Sequence, residues 1–256
     1  MIELKHLTKQ YGKKFAVRDV SFQIGKGELL VLLGGSGSGK TTILKMINRL
    51  IEPSAGSVLV DGRDTTELAS HELRRQVGYV FQQVGLFPHM TVAENIGLTP
   101  ALIGWTDVKI RRRVDELLLL VELNPNEIRD QRPHQLSGGQ QQRVGVARAL
   151  AAKPNLMLLD EPFGAVDPPT RKRLQESFIQ IRRELHLTAI FVTHDMVEAL
   201  VMGDRIAIME AGRLVQIGKP DTLIRKPANE YVRQLLDTPR HEARRVESLL
   251  AQKQGS

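Results

Sequence analysis

Over the first sixty residues, apolar side chains alternate with polar ones or gather in short blocks, at 2–7, 20–24, 29–33 and 57–60. Turn clusters such as Gly25-Lys26-Gly27 and Asp61-Gly62-Arg63 separate the blocks, which predicts strands joined by tight turns. After Lys40 the spacing lengthens. Ile43, Leu44, Ile47 and Leu50-Ile51 then share one face of a helical period. One strand therefore runs through a glycine-rich loop into a helix.

From about 87 to 150 the pattern is mostly helical. Asp107 reads as the N-cap of a helix whose apolar face carries Val108, Val114, Leu117, Leu118 and Val121, with Asn124-Pro125 ending it. Ser137 opens another helix through Val144, Ala147 and Leu150, ended by Lys153-Pro154. Beyond Pro154, strands and helices alternate. Residues 156–159 and 189–192 have the unbroken apolar character of buried parallel strands, with a helix over 170–185 between them. Residues 205–209 and 213–217 form a hairpin about Glu210-Ala211-Gly212. The expected fold is α/β: a RecA-like P-loop NTPase core, residues 1–86 and 155–236, with N-terminal antiparallel β strands. An α-helical subdomain is inserted at 87–154, and 237–256 is a tail with Val246, Leu249 and Leu250 on one apolar face.

Composition narrows the function. The 256 residues contain no cysteine, which excludes a disulfide framework, a thiolate metal site and a cysteine nucleophile. A net charge of +7 invites a nucleic-acid partner, but only 4% of the residues are aromatic, too few for base-stacking platforms. The basic runs at 111–113, 171–173, 182–183 and 244–245 are dispersed and read as solvated helix faces, so no nucleic acid is expected. No run approaches the ~20 apolar residues that span a bilayer, and the N-terminus lacks a secretory layout. A cytoplasmic location is expected.

Gly34-Gly35-Ser36-Gly37-Ser38-Gly39-Lys40-Thr41, followed by Thr42, matches the phosphate-binding pattern G-x-x-x-x-G-K-[ST] between a strand and a helix. The glycines let successive N–H groups point at phosphate oxygens, and the helix N-terminus adds partial positive charge. Lys40 would reach the β- and γ-phosphates of ATP, and the Thr41 hydroxyl would ligate Mg²⁺. At the end of the apolar run 156–159, Asp160 is placed to hold the same ion and Glu161 to deprotonate an attacking water. Leu136-Ser137-Gly138-Gly139-Gln140 starts a second helix with a hydroxyl and two glycines, another anion-binding geometry. One γ-phosphate cannot lie on two separated helix starts of one lobe. Lobes, or two copies of the chain, must face one another.

With these motifs in this order, the chain resembles the nucleotide-binding subunit of ABC transporters over about residues 2–236. The resemblance implies that Tyr11, in Lys9-Gln10-Tyr11-Gly12, stacks on adenine. Gln82, in Tyr79-Val80-Phe81-Gln82, would contact Mg²⁺ and relay to a membrane partner. Ser137, Gly138, Gly139 and Gln140 would clamp the γ-phosphate bound by the opposite subunit. Asp167 belongs to a D-loop, Gly164-Ala165-Val166-Asp167, in which Val166 replaces the usual Leu. His194, in Val192-Thr193-His194-Asp195, would be the switch histidine. The implied partners are a second copy in a head-to-tail ATP sandwich, transmembrane permease subunits and, indirectly, an extracytoplasmic solute-binding protein. The implied location is the cytoplasmic face of the cell membrane.

A narrower similarity points to importer ATPases for osmoprotectants such as glycine betaine, choline or carnitine. It rests on Asp160-Glu161-Pro162-Phe163-Gly164, Thr193-His194-Asp195-Met196-Val197-Glu198-Ala199 and Pro227-Ala228-Asn229-Glu230-Tyr231. Importers of amino acids and other small polar solutes have similar segments. Many glycine-betaine members continue into paired CBS domains, whereas about 20 residues follow Leu236 here; the osmotic sensing assigned to that module is expected to be absent or to lie elsewhere. A soluble ABC ATPase acting on ribosomes or DNA is the rival from a different class, motivated by the charge. A module that binds ATP without turnover is a third, opposed by the presence of both Glu161 and His194.

Overall fold

The computed structural model describes residues 1–82, 85–164 and 166–237. The expected apolar face at Val246, Leu249 and Leu250 lies outside the described residues. The chain opens with β1 (Ile2–Tyr11) and β2 (Lys14–Ile24), then β3 (Leu29–Leu33) and helix α1 (Lys40–Ile47). β4 (Ala55–Val60), β5 (Arg63–Asp64), α2 (Ser70–Gln76) and β6 (Val77–Val80) follow. Four helices come next: α3 (Val92–Leu102), α4 (Asp107–Leu120), α5 (Pro125–Ile128) and α6 (Gly138–Leu150). β7 (Leu156–Asp160), α7 (Pro168–Leu185), β8 (Thr188–Thr193), α8 (Met196–Met202), β9 (Arg205–Glu210), β10 (Arg213–Gly218) and α9 (Pro220–Arg225) complete the order.

Two sheets result. An antiparallel sheet runs β2-β1-β4-β5, and a six-stranded sheet runs β10-β9-β3-β8-β7-β6. In the larger sheet β9, β3, β8, β7 and β6 are mutually parallel, and only β10 is antiparallel. Because successive side chains alternate faces, each central strand feeds two cores. Leu29, Val31, Leu33, Met157, Leu159, Ala189 and Phe191 join the core beneath α4, α6, α7 and α8. Leu30, Leu32, Leu156, Leu158, Ile190 and Val192 join the other, with α1 and the antiparallel sheet. Burial on both faces is why these strands read as unbroken apolar runs.

Several expected boundaries move. Asp107 is the first residue of α4, behind Thr106, and is not its N-cap. A carboxylate is favoured anywhere in the first helical turn, where the backbone dipole is positive. Val108 is 81% exposed rather than on the buried face. α4 stops at Leu120, and Asn124 does not end it but caps α5 through the Asn126 N–H. Leu50 lies beyond α1 and is partly exposed. The strands expected at 2–7, 20–24 and 57–60 are longer, because pairing across the antiparallel sheet carries polar residues into the ladder.

Candidate functional site

Four neighbouring parallel strands end at the same edge of the large sheet, and each releases a residue singled out above. β3 leads into the glycine loop, β6 into Gln82, β7 ends on Asp160 with Glu161 behind it, and β8 leads into His194. Ligands of open α/β sheets sit in this position, outside the carboxyl ends of the strands.

The glycine loop is shaped by close backbone approach. A Cβ on Gly34 would lie 2.2 Å from the Met209 carbonyl oxygen, and one on Gly39 would lie 2.4 Å from that of Ala16. Gly39 also has φ near 99° at the start of α1, where no side chain caps the helix. The N–H groups of Lys40, Thr41 and Thr42 have no acceptor among the described residues, the arrangement that accommodates an anion. Lys40 Nζ bridges the loop, donating to the carbonyls of Gly34 at 2.7 Å and Gly35 at 2.9 Å. Burial pushes its ammonium pKa down, against the pull of the Glu161 and Asp160 carboxylates. Gly39→Ala is expected to destabilise the fold by about 2–3 kcal/mol, through the clash and the left-handed backbone together. A urea midpoint unchanged from wild type would contradict this.

Behind the loop, Thr41 Oγ1 donates to Asp160 Oδ1 at 2.9 Å, joining residues 119 apart in sequence. Asp160 is buried. Its carboxyl is pushed up by desolvation, and the Thr41 hydrogen bond opposes that shift. A hydroxyl beside a carboxylate is a hard-oxygen pair that fits Mg²⁺. Among the described residues no three His, Asp or Glu side chains gather into a group that could hold a metal ion.

Glu161 has a left-handed backbone, φ 46°, held by its N–H to the Val192 carbonyl at 3.1 Å. Its Oε2 stands 3.2 Å from His194 Nδ1, with the histidine side chain 68% exposed. Carboxylate and imidazole thus meet in front of the sheet edge.

Tyr11 closes the β1–β2 turn opposite Lys14 and is 54% exposed, with Lys9 Nζ 5.1 Å from its ring centroid. The contact of Ala16 with Gly39 sets this turn beside the glycine loop. Gln82 is exposed. Asp167 caps α7, accepting the Thr170 N–H at 3.1 Å, and its hydrogen bonds with Thr170 hold the carboxyl below the usual range. Val166 is buried, apolar for apolar.

Ser137 caps α6 in a reciprocal box with Gln140, at 3.2 Å and 2.8 Å. The Gly138 and Gly139 N–H groups are left without acceptors among the described residues. No hydrogen bond within those residues joins 136–140 to the glycine loop at 34–42.

Residues 17–164 match the sequence profile of the ABC transporter family. The chain belongs to that family. The chain is 53% identical over 241 residues to the glycine betaine/carnitine/choline transport ATP-binding protein OpuCA of Bacillus subtilis, covering 94% of this chain and 63% of the relative. It is 50% identical over 237 residues to the osmoprotectant import ATP-binding protein OsmV of Salmonella typhimurium, 91% of this chain and 62% of the relative. This ABC protein therefore spans about three-fifths of the length of those curated relatives. Among solved structures, the dimeric ATP-binding cassette MJ0796 bound to ADP and Pi superposes with TM-score 0.80 at 36% identity, covering 86% of this chain and 99% of that one.

Some of what builds this candidate site leaves no local trace in the sequence. The strand β6 that delivers Gln82 has only four residues, and its Gly78 is required because a Cβ there would lie 2.5 Å from the Ala149 carbonyl oxygen. The left-handed Glu161 had no local signal either, since such φ values are rare outside glycine, asparagine and aspartate.

Proposed function

We propose that the chain is the ATP-binding and ATP-hydrolysing subunit of an ABC importer for a small polar solute, a quaternary-ammonium osmoprotectant such as glycine betaine, choline or carnitine. The observation that carries the catalytic reading is the Glu161–His194 pair at 3.2 Å, in front of the edge that also bears the glycine loop. The names of the relatives at 50% identity and above support the substrate class.

In this reading the glycine loop and the open start of α1 bind the triphosphate and Tyr11 stacks on adenine. Thr41, Asp160 and Gln82 would hold Mg²⁺, which when bound supplies charge neutralisation at the phosphates. Glu161 accepts a proton from the water that attacks the γ-phosphorus, and the bond to the bridging oxygen breaks, giving ADP and inorganic phosphate. His194 presents one ring nitrogen to Glu161 and keeps the other for a phosphate oxygen. Ser137, Gly138, Gly139 and Gln140 serve the site of a second copy, with Asp167 at the same face. Closure of the pair is driven by the difference in ATP affinity between closed and open states. We divide the chain into a nucleotide core, 1–86 and 155–236, and a helical subdomain, 87–154.

Where α2, β6 and α3 meet, exposed Leu50, Phe81 and Phe87 line a cleft of about 250 Å³ with Arg74 and Arg75. We assign this cleft to a short cytoplasmic helix of a permease. Among the described residues no helix is long and apolar enough to cross a membrane, so attachment to the cytoplasmic face would come through that permease, with an extracytoplasmic binding protein beyond it. Importers of amino acids or other solutes are the neighbouring alternative.

Purification of the tagged chain from its native membranes in mild detergent, with mass spectrometry of what accompanies it, tests the proposal. A multi-span permease at near-stoichiometric yield is expected. Ribosomal or DNA-repair proteins without any membrane protein would overturn the transport reading in favour of a soluble ABC ATPase.

A further inference from the structure

α7 begins directly behind Asp167, and Arg171 and Gln175 stand one turn apart on it, so their side chains leave the same face. That face meets two loops. Arg171 Nη2 donates to the carbonyls of Gly164 at 3.5 Å and Val166 at 3.1 Å, on the approach to Asp167. Gln175 Nε2 donates to Glu198 Oε1 at 2.7 Å, in the first turn of α8. The Glu198 N–H donates to Asp195 Oδ1 at 3.1 Å, and Asp195 is the neighbour of His194.

Thr193 Oγ1 accepts the Asp195 N–H at 3.0 Å, and Asp195 in turn caps α8 through the N–H groups of Val197 and Glu198. His194 therefore sits between two residues whose side chains are both engaged. Burial pushes the Glu198 carboxyl up, and the Thr193 hydroxyl, the Gln175 hydrogen bond and the Arg171 charge oppose that shift. The path closes on itself. The Gly164 N–H donates to the Glu161 carbonyl at 3.2 Å, and Glu161 Oε2 faces His194 Nδ1.

We propose that Arg171 and Glu198 are positioning residues that hold the His194 turn and the Asp167 turn as one unit. This rests on the reading of both turns as parts of the hydrolytic site. Arg171 Nε is buried without a partner among the described residues, so the guanidinium is committed to the loop carbonyls at some cost to its own satisfaction. Two loops that must face a second copy together gain a common register from the shared helix face.

The test is steady-state ATP hydrolysis by the full chain in wild type, Arg171→Met, Glu198→Ala and the double variant, with melting followed for each. Each single change is expected to lower kcat roughly ten- to a hundredfold, as a misplacement near 1 Å does, with KM for ATP moving less than about twofold. The double variant should fall no more than about threefold below the poorer single, because both changes loosen one unit. Glu198→Gln, which keeps an oxygen acceptor for Gln175, should recover most of kcat. Losses that multiply in the double variant, or singles with wild-type kcat, overturn the inference. A KM that rises in step with the loss of kcat overturns it as well. Should the truncating variants fail to fold, Arg171→Lys and the near-isosteric Glu198→Leu run the same cycle, with multiplying losses or unchanged kcat again the contrary results. A wild-type chain that releases no phosphate overturns the ATPase reading instead.

Discussion

Replacing Glu161 by Gln is expected to lower ATP hydrolysis by roughly 10²–10⁴-fold, the scale of a positioned general base, while ATP binding persists. The substitution keeps the size and the backbone of a residue in a left-handed conformation, so the fold should be little disturbed. It removes the carboxylate 3.2 Å from His194 that would take the proton from water. The residues proposed to hold the triphosphate, Lys40, Thr41 and Asp160, are untouched. Arrested before hydrolysis, the variant should accumulate as a closed pair at saturating ATP and Mg²⁺. Phosphate release and light scattering on the same sample check both halves. Near-normal turnover would remove Glu161 from its role. Monomers at saturating nucleotide, with permease fragments also present, would sink the facing-pair arrangement.

Ser137→Arg should abolish turnover almost as fully, by roughly 10²-fold or more, the scale of losing a preorganised donor to a developing anion. The reasoning is geometric. α6 keeps the Gly138 and Gly139 N–H groups free, yet no hydrogen bond among the described residues joins that helix start to the chain's own glycine loop. A long side chain at the N-cap would fill the space before those donors in the partner's site and leave the chain's own site intact. Loss of the Ser137 cap itself costs about 1 kcal/mol of stability, so a small drop in melting temperature is expected alongside. Nucleotide binding measured on the isolated chain should be retained. Its loss would contradict the division of labour between the two copies.

Much of this site was legible in the sequence because its chemistry is local. The glycine loop spans 34–41 and needs only contiguous residues to announce itself, and the strands around it are buried on both faces and so advertise themselves as apolar runs. The α6 start was equally readable, since Ser137 and Gln140 satisfy one another three residues apart. Where several residues suit one role, the local pattern does not choose between them. Asp107 suits the first helical turn as well as the cap, and Val108 fits the periodicity of α4 without facing its core. β6 escaped notice because four residues carry too little pattern, and the reason for its Gly78 lies in Ala149, on another element.

The sequence by itself determined most of the elements, the glycine loop between strand and helix, and the carboxylates that follow the apolar run, since propensity, periodicity and motif spacing act within a few residues. The tertiary structure alone decided which of those residues meet. Parallel register brought Thr41 to Asp160 across 119 positions and set Glu161 against His194 from neighbouring strand ends. It also turned the Glu161 backbone left-handed and joined α7 to the two loops through Arg171, Gln175 and Glu198. Such contacts depend on sheet order and helix packing, which sum weak preferences over the whole chain, and no short window of residues carries that sum.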